Sequence, residues 1–207
     1  MRSCMIAFLL VLLSCSNEYQ TSFKEKQNVF LQPFTGIPAS TIQRLCEQLR
    51  IALGDAMLIT VLPEKQIPES AFYPPRNRYR ADSLIRYLQH TIPEEDVVIG
   101  IKHHDISTTK KQIPDYGVMG LGFQPGKSCV VSTFRLRKNN LDEELFKVAI
   151  HEWGHTRGLP HCSKPDCFMR DAQGGNPLKE EHKFCSSCLG KLSNKGYLIT
   201  LKHESVH

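Results

Sequence analysis

The chain has 207 residues, of which 41% are apolar and 23% charged. That composition suits one globular domain that buries a core and excludes an extended, highly charged disordered chain. The formal charge of +5 is scattered, with no basic run beyond "RNRYR" at 76–80, so no nucleic-acid partner is expected.

Residues 1–14 read as a signal peptide. Arg2 is followed by the nine apolar residues Met5–Leu13, a run too short to span a bilayer. It closes on "LLSC" (12–15), which resembles the lipobox of bacterial lipoproteins. Cleavage there would leave Cys15 as a lipidated first residue, holding the protein in the bacterial cell envelope. Residues 15–28 would then be the lipidated N-terminus and a polar tether. The alternatives are an uncleaved membrane anchor, or an over-extended start before a cytoplasmic protein.

From residue 29 to 207 one domain is expected. "VFLQPF" (29–34) predicts a first strand. After Pro38, Ile42, Leu45, Cys46, Leu49 and Leu53 recur at helical spacing, and Gly54 is a natural stop. "AMLITVLP" predicts a second strand, the proline-rich stretch after it a loop, and Leu84, Ile85 and Leu88 a helix near 80–90. "DVVIGI" (96–101) has the continuous apolar character of a strand buried on both faces. "HHD" (103–105) reads as an ordinary loop, the alternative being a second active-site group. Residues 116–136 predict two strands joined by a turn at Gln124–Lys127. A helix follows from Leu141 through His155, its acidic residues 142–144 at the positive end of the dipole. A shorter helix is expected from Pro177 to Leu192. Strands and helices that alternate and then give way to a hairpin predict an α+β (α/β-like) fold with one mixed, twisted sheet covered by helices.

The chemistry concentrates in "HEWGHTRGLPHC" (151–162). His151 and His155 lie four apart on a predicted helix, so both imidazoles leave one face a turn apart and can reach one metal ion. Glu152 lies about 100° round the helix, beside the metal, where a general base belongs. Gly158 ends the helix, and His161 can swing back as a third ligand. Three histidines leave one position open, the catalytic pattern. Gly154 costs the helix roughly 1 kcal/mol relative to alanine, which points to close packing against it.

Cys162 and Cys167 form C-x4-C, and Cys185 and Cys188 form C-x2-C. Such spacings give the Cys4 set of a structural zinc, with two disulfides as the alternative in an exported protein. Cys46 and Cys129 read as buried small hydrophobes, the alternative being a disulfide between them. His161 and Cys162 would be neighbours serving different metals, so the structural zinc would pin the loop that delivers the third catalytic ligand.

Taken together, "HEWGHTRGLPHCSKPDCFM" and the following "CSSC" resemble the archaemetzincin signature, although the loop from Met169 to Cys185 is shorter than the family's pattern. The resemblance implies a metzincin-type catalytic domain with an active-site helix and a small C-terminal Cys4 zinc subdomain. It also implies a zinc metallopeptidase acting on peptide or protein substrates, with two Zn2+ per chain. His151, His155 and His161 would bind the catalytic zinc, and Glu152 would activate the attacking water. Cys162, Cys167, Cys185 and Cys188 would bind the structural zinc, and Met169 would underlie the histidines as a Met-turn. An extended substrate would pair with an edge strand, for which "VMGLGF" (118–123) is the candidate. Its glycines would either admit a close backbone or serve purely local needs. Tyr116 and Arg157 are candidate oxyanion donors. A monomer is expected. The alternative function is a zinc-stabilised scaffold without turnover.

Overall fold

The computed structural model describes residues 27–54, 57–197 and 199. The expected signal peptide, Cys15 and most of the tether lie outside the described residues. Gln27 and Asn28, assigned above to the tether, instead open the first strand. The chain runs β1 (Gln27–Pro33), α1 (Ala39–Leu53), β2 (Met57–Val61), β3 (Phe72–Tyr73), β4 (Arg78–Arg80), α2 (Ala81–Gln89) and β5 (Val97–Lys102). It continues with β6 (Ile106–Lys110), β7 (Ile113–Val118), β8 (Gly120–Gly122), β9 (Ser128–Ser132), α3 (Leu141–Thr156) and α4 (Ser186–Asn194).

The main sheet has the order β2-β1-β5-β9-β8. Its first four strands are parallel and β8 is antiparallel to β9. β5 and β9 are buried along their whole length, as the unbroken apolar run of β5 requires. Alternation divides the interior in two. Val97, Ile99 and Ile101 face a core shared with α1 and α3, while Val98 and Val130 face a second core shared with α2. Ser128 lies inside, but its hydroxyl donates to the Ile85 carbonyl at 2.8 Å, so the polar group is satisfied. Helix α1 buries its predicted stripe and stops at Gly54, where φ is +64°.

Two expectations need correction. There are two sheets, not one: β3, β4, β6 and β7 form a second, in that order. Its strands carry "ISTTK" and "IPDYGV", which have too few apolar residues for a periodicity signal. Ile106 joins Val98 and Val130 in the second core, and ion pairs also tie this sheet to the main one. Arg135, just beyond β9, donates from Nε and Nη2 to Asp105 at 2.8 and 2.9 Å, and Arg78 reaches Asp105 from β4 at 3.3 Å. The "HHD" loop thus ends in a buried structural aspartate. The second correction concerns the last helix, which begins at Ser186 and not at Pro177. Residues 177–185 form turns because Phe184 must enter the core and Lys183 bridges to Cys167. Proline at a helix start is permitted, not dictated.

Candidate metal centre and substrate cleft

Helix α3 carries His151, Glu152 and His155 and ends in a reversal that organises the site. Gly158, at φ +77°, donates to the His155 carbonyl at 2.7 Å, and Leu159 donates to the Gly154 carbonyl at 3.0 Å. This is the paired C-terminal bonding that a left-handed glycine permits. The Leu159 carbonyl faces back and accepts the Nδ1–H of His155 at 2.9 Å, with a second bond from Gln124 Nε2 at 2.9 Å. His151 donates from Nδ1 to the Phe168 carbonyl at 2.6 Å. A carbonyl can only accept, so each Nδ1 carries the proton and each Nε2 keeps a free lone pair, as a metal ligand must.

His161 completes the group. One ligand atom from each of the three histidines lies within 4.8 Å of the others. The His161 Nδ1 lies 3.6 Å from Asp171 Oδ2, so an acidic residue backs the third imidazole. Burial, reinforced by His155, pushes His151 down to about 3, and burial also lowers His155. Both rings are therefore neutral donors at physiological pH, and the set fits zinc.

Glu152 is buried, and its carboxyl packs against β8. A Cβ at Gly120 would meet Glu152 Cγ at 2.6 Å, and one at Gly122 would meet Glu152 Oε2 at 3.3 Å. These glycines make room for the carboxylate, so the local explanation holds over close approach by a substrate. β8 is nevertheless the edge of the main sheet. Burial pushes the Glu152 carboxyl up to about 8, and a dication nearby would draw it down again.

Gly154 and Met169 explain each other. A Cβ on Gly154 would overlap the Met169 sulfur and meet its Cε at 3.3 Å, so the fully buried Met169 lies directly against the helix between its two histidines. Gly154→Ala gains helix propensity of about 1 kcal/mol but overpacks this contact by about 1–3 kcal/mol. A net loss of stability is expected in urea unfolding. A more stable variant would show that Met169 yields freely.

The four cysteines Cys162, Cys167, Cys185 and Cys188 converge within 4.8 Å of one another. Cys162 to Cys185 and Cys167 to Cys188 are each 3.7 Å between sulfurs. That is too long for a disulfide and close to the ~3.8 Å edge of a tetrahedron with Zn–S near 2.3 Å. The Cys185 backbone N–H donates to Cys167 Sγ at 3.4 Å. Hydrogen bonds from the Cys188 backbone and from Cys162 hold the Cys185 thiol down at about 7, against burial. Cys46 and Cys129 are both free and buried.

A cleft of about 750 Å³ contains the three histidines and Glu152, with β7 and β8 on one side and residues 170–178 on the other. Tyr116 lines it, and Arg157 does not. The Arg157 guanidinium instead donates to the Tyr197 hydroxyl at 3.0 Å and the Gly126 carbonyl at 3.2 Å, which removes it as an oxyanion donor. Sequence reasoning missed Asp171, whose only signal is an acid two places after Met169. It also missed the Phe168 and Leu159 carbonyls, which leave no side-chain signal at all.

Three imidazoles converging beside a cleft, with a buried carboxylate adjacent and a methionine beneath, define a metal-dependent hydrolase site. Peptidase family M54 matches residues 19–194. The archaemetzincin of Halobacterium salinarum is 28% identical over 173 residues, covering 77% of this chain and 96% of the relative. That of Haloquadratum walsbyi is 32% identical over 143 residues, covering 63% and 80%. The crystal structure of archaemetzincin from Archaeoglobus fulgidus, complexed with malonate, aligns with a TM-score of 0.67 at 27% identity, covering 80% of this chain and 99% of its own. The Methanopyrus kandleri structure aligns at 0.69, also at 27% identity, covering 81% and 94%. The chain belongs to peptidase family M54, the family of the archaemetzincins, and is a zinc metallopeptidase.

Proposed function

We propose that the chain hydrolyses peptide bonds at a zinc ion held by His151, His155 and His161, with Glu152 moving the proton. The supporting observation is the position of Glu152, whose carboxylate is buried beside the imidazoles and against the edge strand β8. Bound zinc supplies Lewis-acid polarisation of the scissile carbonyl and lowers the pKa of a water towards 7. Glu152 accepts the proton as the water attacks, shields it from bulk solvent, and hands it to the leaving amine. The free edge of β8 offers backbone groups for pairing with an extended peptide. Tyr116 is the side chain on the cleft wall suited to donate a hydrogen bond to the developing oxyanion. A second zinc, held by Cys162, Cys167, Cys185 and Cys188, fixes the loop beneath the site.

The test is a proteome-derived peptide library combined with metal analysis. Two zincs per chain, and a cleavage motif lost with a chelator and restored by zinc, are expected. An absence of hydrolysis across the library leaves a scaffold and removes the peptidase.

The same proposal extends to the cell envelope, through acylation at Cys15. Cys15→Ser should move the protein from the membrane fraction to the soluble fraction and abolish labelling by a radioactive fatty acid. Continued membrane association without label would point to an uncleaved anchor.

A further inference from the structure

One carboxylate in the cleft has no part in the chemistry above. Glu181, just before α4, is 1% exposed, and its Oε2 has neither solvent contact nor a hydrogen-bond partner among the described residues. The two nearby cations whose charges favour its ionised form are committed elsewhere. Lys147 Nζ donates to the Leu178 carbonyl at 2.7 Å and also to Glu143, while Arg170 Nη1 donates to Glu180 at 2.6 Å. Burial without a partner pushes the Glu181 carboxyl up to about 7. A buried carboxylate left unpaired is costly, and a cation brought to it recovers that cost.

The surroundings indicate which cation fits. Glu181 lines the same cleft as His151 and Glu152, together with Val148, Pro177 and Leu178. Val148 is three residues before His151, so it lies on the same helix face, one turn from the metal ligands. One helical turn is about 5.4 Å and one extended residue about 3.4 Å, so the Val148 wall of the cleft lies one to two substrate residues from the metal ligands. Its apolar wall suits an aliphatic stem, and its carboxylate suits a charged head. We infer that Glu181 is the floor of a specificity pocket that takes the lysine or arginine side chain of a substrate residue adjacent to the cleaved bond. This rests on the peptidase reading above. A short side chain would leave the carboxylate unpaired, and an acidic one would set like charges together.

Paired peptides test it. Lysine or norleucine, which differ by the ammonium group, is placed in turn on either side of the scissile bond of a sequence the enzyme cleaves. At one of the two positions wild type should favour lysine by roughly 30-fold or more in kcat/KM, mostly through KM. Glu181→Gln should bring that ratio close to one. Calorimetry on zinc-loaded Glu152→Gln protein should show the same preference in binding, without turnover. A wild-type ratio near one at both positions overturns the pocket, and so does a preference that survives in Glu181→Gln. If neither peptide is bound or cleaved, the peptidase reading itself fails and the pocket fails with it.

Discussion

Replacing Glu152 by glutamine is expected to lower kcat/KM by about 10³-fold while leaving zinc content and melting temperature close to wild type. The amide matches the carboxylate in shape, so the contacts with Gly120 and Gly122 persist. No protein hydrogen bond or ion pair to the Glu152 carboxylate exists among the described residues, and its pKa is governed by burial alone. Removing the charge therefore strands no buried partner and relieves a desolvation cost. What disappears is the buried carboxylate on the active-site helix placed to take a proton from the attacking water. General acid–base groups typically contribute 10²–10⁴-fold, and here one group serves both proton transfers. Single-turnover kinetics with zinc stoichiometry measured on the same sample checks this. Activity equal to wild type would remove Glu152 from the mechanism, and loss of zinc would make it a structural residue.

The parts of this site that were legible in the sequence are those built from local, repeating interactions. Helix α3 follows from its apolar spacing, its acidic first turn and its glycine stop, and those rules carry His151 and His155 to one face without any tertiary knowledge. The convergence of His161 and the cysteines was expected from ligand spacing, with disulfides as the alternative for the cysteines, and it takes the fold to bring Cys185 and Cys188 to Cys162 and Cys167. The second sheet was not legible, because pairing of β6 with β7 is fixed by backbone bonds and the placing of the sheet by the Arg135–Asp105 ion pair, neither of which has a period. Pro177 misled because a helix start signal is only permissive, and the bridge between Cys167 and Lys183 prevails locally. The glycines of β8 were legible as small residues but not in purpose. They face Glu152, a residue some thirty positions away.

The second large effect concerns Cys162. Cys162→Ser is expected to lose the structural zinc and also to weaken the catalytic zinc by about 10- to 100-fold, the range for disturbing groups that orient metal ligands. The structure supplies two routes for that coupling. Cys162 is bonded in sequence to His161, and its backbone N–H donates to the Met169 carbonyl at 2.7 Å. The residue before Met169 is Phe168, whose carbonyl holds His151, and the residue before that is Cys167. A metal that ties Cys162 and Cys167 together therefore fixes both the loop of the third histidine and the carbonyl that orients the first. Structural zinc in small domains contributes on the order of 10 kcal/mol to folding. This chain has a core of its own, so the loss falls chiefly on the loop and not on the whole fold. His161→Ala makes the contrasting case. The four thiolates need no imidazole, so that variant should retain the structural ion and lose only the catalytic one. Zinc release to a chromogenic chelator, followed in both variants, separates the outcomes. Full activity in Cys162→Ser with one zinc retained would show that the two centres are adjacent in sequence and independent in energy.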